Sequence, residues 1–130
     1  MYMGRRLSKK ELEKYRETAK NGYIRVWKTV QLCYENFGVK DGYYPEMYYY
    51  HKRFRGGINK ARHKQSDKQI HAFRNRRSAR AWAIGGVNIV LGCFVKPSWV
   101  SAIGRYNTLD TLTTSKIIMP KYPERVVKIK

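Results

Sequence analysis

Residues 51–80 carry eleven Lys or Arg and a single acid, Asp67. Ten net positive charges in thirty residues repel one another, and a compact chain tolerates them only when a folded scaffold displays them to a polyanion. Composition supplies the scaffold. Hydrophobic residues make up 42 % of the 130 and aromatics 14 %, including eleven Tyr, four Phe and three Trp. So much apolar mass excludes a disordered basic tail, and the length suits one domain over residues 1–130.

The charge is segregated along the chain. Basic residues outnumber acids by seven to three in residues 1–20, equal them at three each in 21–50, and exceed them by seven to two in 81–130. Anionic lipid is a poor match for this pattern. Membrane-surface helices set an aliphatic face opposite their cations, and the basic block has none before Ile70. The apolar run 87–95, broken by Asn88 and Gly92, is too short to span a bilayer, so no membrane insertion is expected. The first residues also lack the apolar core of a secretory signal.

Local signals favour helices. Ser8 and Glu11 match a capping box, with Leu7 and Leu12 placed as its hydrophobic staple. Leu12, Tyr15, Ala19, Tyr23, Val26, Val30, Cys33 and Phe37 then recur every three or four residues, predicting a helix over 9–37 closed by Gly38. Asn21-Gly22 marks a kink or a break within it, at a cost of about 1 kcal/mol relative to Ala. Residues 40–55, with an Asp41-Gly42 turn and Pro45, read as an ordered loop or short extended segment. Ser66 and Gln69 suggest a second capped helix running through Phe73, Arg77, Ala81 and Ile84 to Gly85-Gly86. The apolar run 87–95 suits either a buried strand or a buried helix, two short buried helices over 87–104 being preferred for want of a nearby alternating partner, and 116–130 reads as an extended tail. The expected fold is mostly α: a long kinked N-terminal helix, a basic middle helix and a compact apolar C-terminal helical region with an extended arm.

Material for catalysis is sparse. His51, His63 and His71 form no HExxH or zinc pattern, and neither a Walker A loop nor a G-x-S-x-G motif is present. Glu46 with His51, or Asp67 with His63 and His71, falls short of the spaced carboxylates of a metal-dependent nuclease. Cys33 and Cys93 read as buried thiols. The chain is expected to be non-enzymatic and to need no cofactor.

The cations are the candidate site. Lys52, Arg53, Arg55, Lys60, Arg62, Lys64, Lys68, Arg74, Arg76, Arg77 and Arg80 form the main constellation, and Arg5, Arg6, Lys9 and Lys10 in the N-terminal arm, residues 1–21, form a second. Arg suits bidentate phosphate contacts. No finger or helix-turn-helix accompanies them, which predicts sequence-independent binding to the backbone of double-stranded DNA. Tyr43, Tyr44, Tyr48, Tyr49, Tyr50, Phe54 and Phe73 are interleaved with the block and read chiefly as packing residues, with base stacking the other option. An RNA-binding or ribosome-associated protein is the first alternative, and a small DNA-binding regulator or host-defence inhibitor the second.

A basic helical arm at 5–20, the break at Asn21-Gly22 and an apolar helical region at 82–103 together resemble the layout of the major coat proteins of filamentous archaeal viruses. The resemblance implies a virion coat subunit that dimerises with itself or with a related coat chain and stacks helically around double-stranded DNA held in A-form. In this chain the densest charge lies at 51–80 and not in the arm, which makes the basic middle the first choice for the DNA contact.

Overall fold

A computed structural model describes residues 4–31, 43–48, 51–65, 68–83 and 88–120, with the backbone alone at 31, 43–48, 51–53 and 88. The elements in chain order are β1 (Arg5–Arg6), α1 (Lys9–Arg16), β2 (Ile24–Gln31), β3 (Tyr43–Tyr48), β4 (His51–Arg55), β5 (Gly57–Lys60) and β6 (Ile70–Phe73). They continue with α2 (Arg76–Trp82), β7 (Asn88–Val95), a 3-10 turn (Pro97–Trp99), β8 (Val100–Tyr106), β9 (Leu109–Thr114) and β10 (Lys116–Met119). Eight strands form one sheet in the order β1-β8-β9-β6-β2-β7-β10-β5, every neighbouring pair antiparallel, and β3 and β4 form a separate hairpin. The mostly α fold is therefore corrected to a mostly β one.

The N-terminal correction turns on two residues. Ser8 does cap α1, its hydroxyl accepting from the Glu11 N–H at 3.2 Å, but the helix stops at Arg16. Asn21 and Gly22 have φ of 54° and 84°, and Lys20 and Tyr23 exchange N–H···O bonds of 2.8 and 3.1 Å across them. Consecutive positive φ values between bridged residues form a primed turn, for which Asn-Gly is the preferred pair. The dipeptide reverses the chain where a kinked helix was expected. Beyond it, Ile24, Val26, Lys28 and Val30 point to one face of β2 and Arg25, Trp27 and Thr29 to the other. A spacing of four residues keeps Val26 and Val30 on one side of a helix or of a strand, so it cannot distinguish the two.

The basic middle helix is also corrected. Ser66 lies outside the described residues. Ile70, His71, Ala72 and Phe73 are all buried because β6 is an interior strand covered on both faces. The helix in this region starts at Asn75, whose side chain accepts from the Ser78 N–H at 2.8 Å, and ends after Trp82.

The buried helices expected at 87–104 are the strands β7 and β8, linked by the 3-10 turn. The partner of β7 is β2, from Ile24 opposite Val95 to Gln31 opposite Asn88. That pairing spans some sixty residues of sequence, beyond the reach of a local hairpin search. Of the expected tail, Lys116–Met119 is β10, held between β5 and β7, and 121–130 lies outside the described residues. The N-terminal arm is docked from residue 4 onward: β1 pairs with β8, and the Leu7 N–H donates to the Ile103 carbonyl at 2.9 Å.

The sheet has an inner and an outer face. The inner face holds the core of Val26, Val30, Ile70, Cys93, Val95, Ile103, Leu112 and Ile117, onto which Leu12 and Tyr15 of α1 pack together with Leu7 before it and Ala19 after it. Phe54 of the β3–β4 hairpin is buried in the same core, with the Lys28 ammonium 5.0 Å from its ring centroid. On the outer face α2 lies over β2, β6 and β9, fixed by the Thr29 hydroxyl donating to the Ala79 carbonyl at 2.9 Å. This helix covers only part of the outer face. The remainder, which no other described helix covers, is the candidate site.

Candidate nucleic-acid interface

Outward residues of four adjacent strands fall in register on this open surface. Arg25 of β2 is opposite Phe94 of β7, Phe94 opposite Ile118 of β10, and Ile118 opposite Ile58 of β5. At strand spacings near 4.8 Å the row is about 14 Å long. Tyr23 extends it, its ring 6.4 Å from that of Phe94 and nearly perpendicular to it. Tyr23, Ile58 and Phe94 remain 39 %, 57 % and 40 % exposed. Lys20, Asn21, Tyr23, Phe94 and Ile118 line an open cleft of about 330 Å³ beside the row.

Cations surround these apolar groups. The Arg25 guanidinium lies across Gly92, where any Cβ would collide with it, and sits 4.9 Å from the Phe94 ring centroid and 5.9 Å from that of Trp27. Past the end of β7, the Lys96 and Lys116 ammonium groups each stand 5.6 Å from the ring centroid of Trp99, and Lys96 is 6.0 Å from that of Tyr23. Lys60 is directly opposite Lys116 in the ladder. Two lysines thus meet at one indole at one end of the sheet, their charges favoured by the ring quadrupole, with Lys60 next to them in the ladder.

The carboxylates among the described side chains lie elsewhere. Glu11, Glu13 and Glu17 belong to α1 and its C-cap on the inner side, and Asp110 is held by Arg74, Asn75 and Arg105. Lys20, Arg25, Lys60 and Lys96 are exposed and Lys116 is half-buried, and no described carboxylate opposes them.

The residues singled out from sequence do not form one surface. Arg76, Arg77 and Arg80 are exposed on α2, on the outer face. Lys60 belongs to the indole cluster, and Arg62 and Lys64 are exposed in the loop that follows. Arg55 is exposed at the end of β4, and Lys68 is half-buried before β6. Lys52 and Arg53 are in β4, their side chains outside the described residues. Arg5 and Arg6 are exposed on the edge strand β1, and Lys9 and Lys10 on the first turn of α1, across the sheet from α2.

Arg74 is turned inward. It donates to the Thr111 carbonyl at 3.0 Å, the Gly104 carbonyl at 2.8 Å and the Asp110 carboxylate at 3.3 Å, and it lies 5.9 Å from the Tyr15 ring centroid. Burial lowers its pKa from the ordinary guanidinium value, with Asp110 opposing, while burial of Tyr15 raises that phenol, with Arg74 opposing. Arg74 braces the fold. Cys93 is a free, fully buried thiol, pushed up to about 12 by burial, as the sequence reading expected for it, and Cys33 lies outside the described residues.

Arg25, Lys96, Lys116, Tyr23, Phe94 and Trp99 were missed by sequence reasoning. The period-2 pattern of Tyr23, Arg25 and Trp27 against Ile24 and Val26 was the available signal, but it competed with the helical stripe. No protein-family model, no curated protein and no solved structure matches this chain, so the site is read from its own chemistry. Among the described residues no cluster of His, Cys, Asp and Glu suits a metal ion, and no helix is long and apolar enough to cross a membrane.

Proposed function

We propose that this protein is a non-enzymatic nucleic-acid-binding protein that grips the phosphate backbone without reading sequence. One observation carries the reading: Lys96 and Lys116 both approach Trp99, with Lys60 opposite Lys116 in the ladder, and no described carboxylate opposes these three cations. Such a surface suits a polyanion, and Arg76, Arg77 and Arg80 on the same face lengthen the track. The arginines match phosphate geometry, and the lysines supply point charges.

The coat-subunit resemblance depended on a helical layout that a β-sheet replaces, so general backbone binding is the broader reading that remains. The test is fluorescence anisotropy with unrelated oligonucleotides across a salt series. Affinities agreeing within a few-fold among sequences and falling steeply with salt are expected. Failure to bind at low salt, or a hundredfold preference for one sequence, overturns the proposal.

A further inference from the structure

We infer that the cleft beside Phe94 receives unstacked bases, so that the preferred ligand is a single-stranded nucleic acid. The inference rests on the nucleic-acid reading above and specifies which form is bound. Its starting point is the concentration of exposed apolar groups. Among the described residues the exposed large hydrophobics are Tyr23, Ile58 and Phe94, and all three lie on the outer face along the Arg25–Phe94–Ile118–Ile58 row. An apolar patch kept in water at one place marks a binding surface.

The chemistry around the patch selects the occupant. Lys20 lines the cleft, Arg25 lies against Phe94, and Lys96 stands over Tyr23. An apolar protein segment would cover the rings but leave these cations without a counter-charge. A nucleotide strand satisfies both parts at once. Its phosphates meet the lysines, and its bases cover the rings and the guanidinium plane.

The same geometry discriminates against a duplex. Phe94 and Tyr23 rise from a sheet surface beside an open cleft of about 330 Å³, at the small end of ligand pockets, whose lining consists of strand and turn residues that offer ring faces and edges. Base pairs in a duplex present only their edges, whereas a single strand can splay its bases onto the rings. Gly92 contributes by leaving room for the Arg25 side chain to lie flat across the strand.

The experiment compares three labelled oligonucleotides of equal length at near-physiological salt, using the full chain: oligothymidylate, an abasic strand with the same phosphates, and a mixed-sequence duplex. Oligothymidylate should bind about tenfold or more tighter than the abasic strand, because each stacked base adds to the phosphate contacts. Phe94→Leu should weaken oligothymidylate binding about tenfold and leave the abasic strand unchanged. Equal binding of the first two strands, or tighter binding of the duplex, overturns base stacking while leaving phosphate binding intact. Failure of all three ligands to bind overturns the underlying reading. The comparison of strands on unaltered protein needs no variant to fold, and Tyr23→Leu provides a second, independent substitution on the same surface.

Discussion

Lys96 and Lys116 hold their ammonium groups equally far, 5.6 Å, from the ring centroid of Trp99. Two like charges sharing one indole repel each other, and the ring quadrupole offsets only part of that cost. An anion bound close to both would relieve the rest. The pair should therefore matter more for binding than for folding.

Replacing both lysines by Gln should flatten the salt dependence of nucleic-acid binding. With about −0.7 in log affinity per log salt for each single-strand phosphate contact, losing two contacts lowers the slope by roughly 1.4. Thermal unfolding should stay unchanged or shift slightly upward. An unaltered slope removes these lysines from the interface.

Arg74 and its neighbours on α2 should behave oppositely. Arg74→Ala strips donors from the Gly104 and Thr111 carbonyls and from Asp110, and should destabilise by about 2 kcal/mol or more, read by denaturant unfolding. Phe73, buried against Trp82, should cost roughly 3–5 kcal/mol on truncation to Ala. The triple change of Arg76, Arg77 and Arg80 to Gln should leave stability within about 0.5 kcal/mol and weaken nucleic-acid binding. Similar unfolding losses in all three variants would contradict this division.

Gly22→Ala separates a turn from a helix by sign. Gly22 has a φ of 84°, and nothing lies within 4 Å of an added Cβ, so backbone strain alone is probed. In the primed turn the change should destabilise by about 1 kcal/mol. In a continuous helix it would stabilise by about the same amount. Chemical denaturation of the two proteins decides.

Cys93 should make stability fall in alkali. Its folded-state pKa of about 12 exceeds the ordinary thiol value, so above that ordinary value the unfolded chain has lost the proton that the folded chain still holds. The contribution is fully present below about pH 9 and declines by about 1.4 kcal/mol per pH unit from there toward pH 12. The stability difference between the native chain and Cys93→Ala should be flat below pH 9 and shrink above it. A difference that is constant through pH 11 rules out the buried thiol as the source.

Some features needed no tertiary partner to be legible. The Ser8 cap acts within four residues, Asn21-Gly22 announces a break whatever follows it, and Cys93 reads as buried from its apolar neighbours. The cationic surplus is fixed by composition, and with it the expectation of a polyanionic partner. Secondary structure beyond Gly22 was less accessible. Val26 and Val30 fit both periods, and what makes them a strand is β7, about sixty residues later, whose hydrogen bonds exist only once the chain has folded.

The site depended on folding in the same way. Tyr23, Phe94 and Ile118 are far apart in sequence, and antiparallel register alone brings them into one row. The sequence by itself determined the charge, the Ser8 cap and the break at Asn21-Gly22, because these depend on neighbours along the chain. Only the tertiary structure decided which cations stay exposed and which, like Arg74, turn inward. That choice depends on which carbonyls and carboxylates lie within hydrogen-bonding distance, and strand pairing sets those distances.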